Sequence, residues 1–159
     1  MGDQAPREPY RPFVTLPFFP PTSNNIYSTN WRAKKRFLTK EATAFKTQAV
    51  SYIQANCLAA ITQLDRNALY RVWYAVYFQH DEVFNKTFGT GKKDAAESRY
   101  KRVDVENRIK LVADALATAI GIDDSQFWEG AHTKLVTMSG TPRIDIFLDP
   151  LPQEYFISP

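Results

Sequence analysis

With 159 residues, 44% of them hydrophobic and 23% charged, the chain is long enough to bury one real core, and no apolar run approaches the roughly 18 residues of a membrane span. The single cysteine, Cys57, excludes an intrachain disulfide, and with only two histidines beside it a structural zinc site is not expected. The net charge of +3 is unevenly spread: residues 1–79 carry ten Lys/Arg against four Asp/Glu, and residues 80–159 carry ten against thirteen.

In chain order, residues 1–12 are polar and proline-rich and lack the basic start and apolar stretch of a secretory signal. We expect a flexible N-terminal segment there, a single domain over 13–150 and a tail over 151–159, in a reducing cytoplasm with no membrane association. Residues 13–19 read as a first strand, stopped by Pro20-Pro21, and a loop is expected from there to about residue 38. Thr39 is placed to cap a helix over 40–61, where Ala42, Phe45, Ala49, Ile53, Cys57 and Ala60 recur at helical spacing. Residues 69–79 are aromatic and β-branched on both alternating faces, the pattern of a central strand buried on two sides. From 80 to 101 the chain turns polar, with Gly89 and Gly91 close together, which predicts a mobile loop. A second helix is expected over 104–120, ended by Gly121 in the left-handed conformation, with Ile109, Val112, Ala113, Leu116 and Ile120 as its buried stripe. Residues 133–138 and 143–148 then read as a hairpin across Ser139-Gly140-Thr141-Pro142. The sum is an α/β (α+β) fold of order β-α-β-α-β-β, a mixed sheet with helices packed on it.

The chemistry concentrates in Asp104-Val105-Glu106-Asn107, Lys110 and Asp123-Asp124, which place four acids, an amide and an ammonium within 21 residues. Carboxylates gathered this closely repel one another unless a cation lies between them, and a hard divalent ion is the usual one. Asp104 and Glu106 also have an ordinary use at a helix start, where acids cap free N–H groups and complement the macrodipole. On a regular helix, however, Glu106 falls about 50° from the centre of the Ile109/Ala113/Leu116 stripe and Lys110 lies at its edge. Glu106 is therefore expected to face the core side, where an unpaired charge is costly. If the chain is still extended at 104–106, both carboxylates project to one side and could grip one magnesium ion, which keeps waters and accepts phosphate oxygens. Lys110 could neutralise charge developing on a phosphate, or simply pair with Glu106 one turn away. Asp123-Asp124 alone reads as a turn after a helix. Trp31, Arg32, Lys34, Lys35 and Arg36, with Tyr27 and Phe37, form a basic and aromatic stretch fit to hold phosphates and stack on unpaired bases.

Three motifs in order, Pro20-Pro21-Thr22-Ser23-Asn24-Asn25-Ile26-Tyr27, Asp104-Val105-Glu106-Asn107 with Lys110, and Ile122-Asp123-Asp124-Ser125-Gln126, are followed by Lys134 in a strand. In order and spacing, from about residue 13 to about residue 148, this resembles the RusA family of Holliday junction resolvases. The resemblance implies a small homodimeric endonuclease, dependent on magnesium with manganese as the alternative ion, that nicks four-way junction DNA symmetrically in recombination and repair. By position it makes Asp104, Glu106 and Asp124 the metal-binding acids and Lys110 the catalytic lysine, supported by Asn107 and Asp123. Asn24 and Asn25 of the first motif are expected to join the DNA contacts of the basic stretch, and the basic composition of the polar segment, with Lys92, Lys93 and Arg102, fits either a DNA-contacting flap or a solvated insertion. The family usually has Asp where this chain has Glu106, so a junction-binding protein with weakened or lost catalysis is the alternative function. A helix from 105 to 120 would be about 24 Å long, and four extended residues recover at most about 14 Å. Asp124 then reaches Asp104 only if the helix is shorter or bent, or if two subunits build the site.

Overall fold

The computed structural model describes residues 11–84, 103–137, 140–152 and 154. Strand β1 (Val14–Leu16) is shorter than expected, since Pro17 has no N–H to offer a ladder. The segment expected as a loop holds a 3-10 turn (Ser23–Asn25) and a hairpin of β2 (Tyr27–Asn30) and β3 (Lys35–Leu38). No Asn-Gly pair announces this hairpin. Its turn is closed instead by the Asn30 side-chain oxygen, which accepts from the N–H groups of Arg32 and Ala33 at 3.1 Å each, and by Lys34 at a φ of 50°.

Helix α1 (Lys40–Thr62) is capped as expected, with Thr39 Oγ1 accepting from the Ala42 N–H at 3.1 Å. It buries Ala42, Phe45, Ala49, Ile53 and Cys57, but ends on Ile61 rather than Ala60. The backbone leaves helical geometry at Cys57 (φ −124°, ψ 15°), where the thiol donates to the Phe13 carbonyl at 3.4 Å, and this turns the last residues of the helix.

Strand β4 (Tyr70–Gln79) is central, as its apolar run predicts. The sheet order is β1-β6-β4-β5: β6 (Arg143–Pro150) runs antiparallel to β1 and β4, and β5 (Phe127–Thr137) runs parallel to β4. The hairpin expected between the last two strands does not form, because they lie on opposite edges of β4. A parallel neighbour needs a crossover, and helix α3 (Glu106–Ile120) supplies it.

Helices α1 and α3 cover one face of the sheet, packing on Val72, Tyr74, Val76 and Phe78 of β4 and on Ile144 and Ile146 of β6. The Gln54 side chain of α1 donates to the Ala119 carbonyl of α3 at 3.3 Å. The other face, expected to be buried too, carries no second layer among the described residues. There Arg71 and Trp73 are exposed, Trp73 stacks on Phe147 at 5.0 Å, and the Arg143 guanidinium lies 3.7 Å from the Tyr77 ring centroid. Alternate β4 side chains on this face are sheltered by neighbours in the same layer rather than by a second layer.

A short helix, α2 (His80–Val83), opens the segment expected as a mobile loop. Residues 85–102, with Lys92, Lys93 and Arg102, lie outside the described residues. Gly121 ends α3 as expected, with φ 74° and its N–H on the Ala117 carbonyl. Among the described residues, no helix is long and apolar enough to cross a membrane.

Candidate active site

The acidic loop leads directly into α3. Val105, 1% exposed, anchors the entry, and its carbonyl takes the Ile109 N–H at 2.8 Å. The buried face then runs through Leu111, Val112, Ala115, Leu116, Ala119 and Ile120, while Ile109 and Ala113 are only half-buried. The stripe is rotated from the expected one because α3 packs on two partners, the sheet and α1. Glu106 consequently does not face the core side: it is exposed, as are Asp104 and Lys110. Asp104 stands one residue before the N-cap, Val105, and its Oδ1 accepts the N–H of Glu106, the first helical residue, at 3.1 Å.

Two contacts from distant parts of the chain hold this loop. Ser23 Oγ donates to the Asp104 carbonyl at 3.0 Å, and Lys134 Nζ, reaching over from β5, donates to the Val103 carbonyl at 2.6 Å. The first of these joins the Pro-Pro-Thr-Ser-Asn-Asn motif to the acidic motif across 81 positions. The same N-terminal motif is fastened to α1 by Thr39 Oγ1, which donates to the Asn25 carbonyl at 2.6 Å. It runs straight into β2, so the basic hairpin is carried on the segment that holds the acids. On that hairpin Trp31, Arg32, Lys34, Lys35 and Arg36 are all exposed, and Arg36 lies 4.0 Å from the Tyr27 ring centroid.

The third motif sits beyond the other end of α3. Asp123 caps a 3-10 turn (Asp124–Gln126): its carboxylate accepts the Ser125 N–H at 2.9 Å, and Gln126 Oε1 returns a bond to the Asp123 N–H at 3.1 Å. The hydrogen bonds from Ser125 hold the Asp123 carboxyl below the usual range. The Gln126 amide also donates to the carbonyls of Arg66 and Ala68 at 2.8 and 2.9 Å, pinning the turn ahead of β4.

Asp124 is exposed and lies beside Asp114, a half-buried acid of α3. Burial pushes the Asp114 carboxyl up; Lys46 opposes this, Asp124 reinforces it, and Lys110 opposes it. The Asp124 charge is thus felt at Asp114, in the middle of α3. The helix is unbroken from Glu106 to Ile120, and its rise separates Asp114 from Glu106 by about 12 Å. A shorter helix is thus excluded as the route back to Asp104. Among the described residues, no three His, Cys, Asp or Glu side chains gather around one point where a metal could bind.

Two residues with evident electrostatic roles were not singled out by the sequence, Asp114 and Arg108. Burial lowers the Arg108 pKa, against the opposing charges of Glu82 and Asp104. The available signal was positional: Arg108 falls three residues after Val105 and four before Val112, inside the stripe that α3 buries.

Among curated proteins no individual sequence matches this chain. A family model, Endodeoxyribonuclease RusA, matches residues 17–149. That span opens just after β1, closes within β6 and takes in all three motifs, and the chain belongs to the RusA family of endodeoxyribonucleases.

Proposed function

We propose that the protein is a divalent-metal-dependent nuclease that resolves four-way DNA junctions in recombination and repair, acting as a homodimer. The observation that carries this reading is the Ser23 to Asp104 bond, which ties the segment leading into a basic, aromatic hairpin to the acidic loop. Phosphates held by the hairpin would lie within reach of the acids.

Asp104 and Glu106 fit magnesium: both are exposed carboxylates, and this ion is satisfied by one or two such oxygens plus waters and phosphate oxygens. Manganese accepts the same donors. When bound, the ion supplies a hydroxide nucleophile at neutral pH and steadies the leaving oxygen. Asp104 commits one carboxylate oxygen to the Glu106 N–H, which orients the group while leaving the other oxygen for a cation. Lys134 fixes the course of the loop through Val103. Lys110, exposed one turn beyond Glu106, offers an ammonium to charge building on the phosphate.

The dimer reading rests on β5. Among the described residues this 11-residue strand pairs with β4 alone, and a long edge strand is a template for another chain. Antiparallel pairing of two β5 edges about a two-fold axis sets the start of one strand, just past Asp124, beside the end of the other, near Lys134 and the acidic loop. In this arrangement the third acid of each site comes from the partner subunit.

The test is a synthetic four-way junction beside a linear duplex of the same sequence, each with magnesium or manganese. Paired nicks confined to the junction are expected. Equal cutting of the linear duplex contradicts the proposed substrate.

A further inference from the structure

Arg108 is an unusual occupant of the buried side of a helix. Its guanidinium carbon lies 5.9 Å from the ring centroid of Phe19 and 5.9 Å from that of Phe78. Its Nε is buried and has no hydrogen-bond partner among the described residues. Arginine has donors and no acceptor, so this N–H can be met only by an acceptor brought up to it, and buried donors left unmet are rare in folded proteins.

The surroundings indicate which acceptor. Arg108 lines a cavity of about 310 Å³ whose other walls include Thr22, Ser23, Asn24, Glu82 and Asp104. Glu82 and Asp104 are close enough to support the guanidinium charge, yet neither forms an ion pair with it among the described residues. The aromatic rings of Phe19 and Phe78 already flank the guanidinium, which disfavours stacking on a base and leaves its in-plane N–H groups as the recognition element. Those groups match the oxygens of a phosphodiester, bidentate and charge-assisted. The hydroxyl of Thr22 and the amide of Asn24 add neutral donors to the same cavity, while the Ser23 hydroxyl is committed to the Asp104 carbonyl.

We propose that this cavity is a phosphate subsite in which Arg108 binds a backbone phosphodiester of the DNA, next to the bond handled at Asp104. The proposal rests on the nuclease reading above and deepens it, by adding a substrate-binding residue between Asn107 and Lys110 of the second motif.

The experiment compares wild type, Arg108→Gln and Arg108→Lys on a four-way junction, reading metal-free binding and single-turnover cleavage in magnesium. The junctions carry a neutral methylphosphonate in place of one phosphate at a time near the cut. Wild type should weaken at one position in particular, and Arg108→Gln should bind unmodified junction about tenfold or more weakly while becoming insensitive at that position alone. Arg108→Lys, which keeps the charge but loses Nε, should fold as wild type and show a reduced effect at the same position. Should Arg108→Gln fail to fold, the lysine variant decides on the positional pattern. A wild type that cuts junctions while both variants match it at every position overturns the subsite and leaves the nuclease reading standing. A wild type that neither binds nor cuts the junction overturns both.

Discussion

At Asp114 a half-buried carboxylate sits among Lys46, Lys110 and Asp124, and desolvation outweighs the help of the lysines. With a folded-state pKa above the ordinary 3.8, the folded chain retains a proton that the unfolded chain has released. This acid therefore costs stability progressively as pH rises through 3.8 and up to its folded value. Asp114→Asn should raise the melting temperature at neutral pH, and the gain should vanish below pH 3.8, where the carboxyl is protonated in both states. A gain that is the same at low pH in a melting series contradicts the assignment. Asp123 is the opposite case: its hydrogen bonds to Ser125 stabilise the charged form and account for it as a cap.

Among the elements, the β2–β3 hairpin carries the sharpest expectation. Replacing Lys34, Lys35 and Arg36 together by Ala should weaken junction binding and lower the logarithmic salt slope by roughly two to three, at about 0.9 for each phosphate left without its cation. An unchanged slope removes the hairpin from the DNA interface. This element was invisible in the sequence because its turn depends on the Asn30 side chain and on Lys34 at positive φ, neither of which has a short signature. The helices were legible, since the Thr39 cap, the Gly121 stop and the spacing of Ala42, Phe45, Ala49 and Ile53 are local properties. What spacing could not fix was the direction of the α3 stripe, which depends on packing against both the sheet and α1, and so Glu106 was turned the wrong way. The last two strands were paired wrongly for a similar reason. Closeness in sequence suggested a hairpin, while the crossover through α3 delivers β5 to the far edge of β4. The acids of the proposed site stand out by residue type; Arg108 and Asp114 do not, because their meaning comes from what covers them.

At the scale of the whole molecule, the uneven charge of the sequence becomes a spatial arrangement, with the basic hairpin of the first half set against the acidic loop of the second through Ser23 and Asp104. The unbroken α3 separates the acidic loop from the Asp123-Asp124 turn, and the proposed shared site would bring Asp124 in from the neighbouring subunit. Mixing Asp104→Asn chains with Asp124→Asn chains tests this. A shared arrangement leaves one intact site per heterodimer and should restore single nicks without paired cuts, whereas mixtures as inactive as each parent place all three acids within one subunit. Whether the acidic loop is catalytic at all is decided by magnesium-dependent cleavage of a four-way junction by wild type and by Asp104→Asn, with binding measured alongside. Wild type should make paired nicks, and Asp104→Asn should lose on the order of a hundredfold or more in cleavage with binding retained. Equal cleavage by the two proteins, or a wild type that binds the junction and cuts with neither magnesium nor manganese, would contradict a metal-dependent nuclease centred on Asp104.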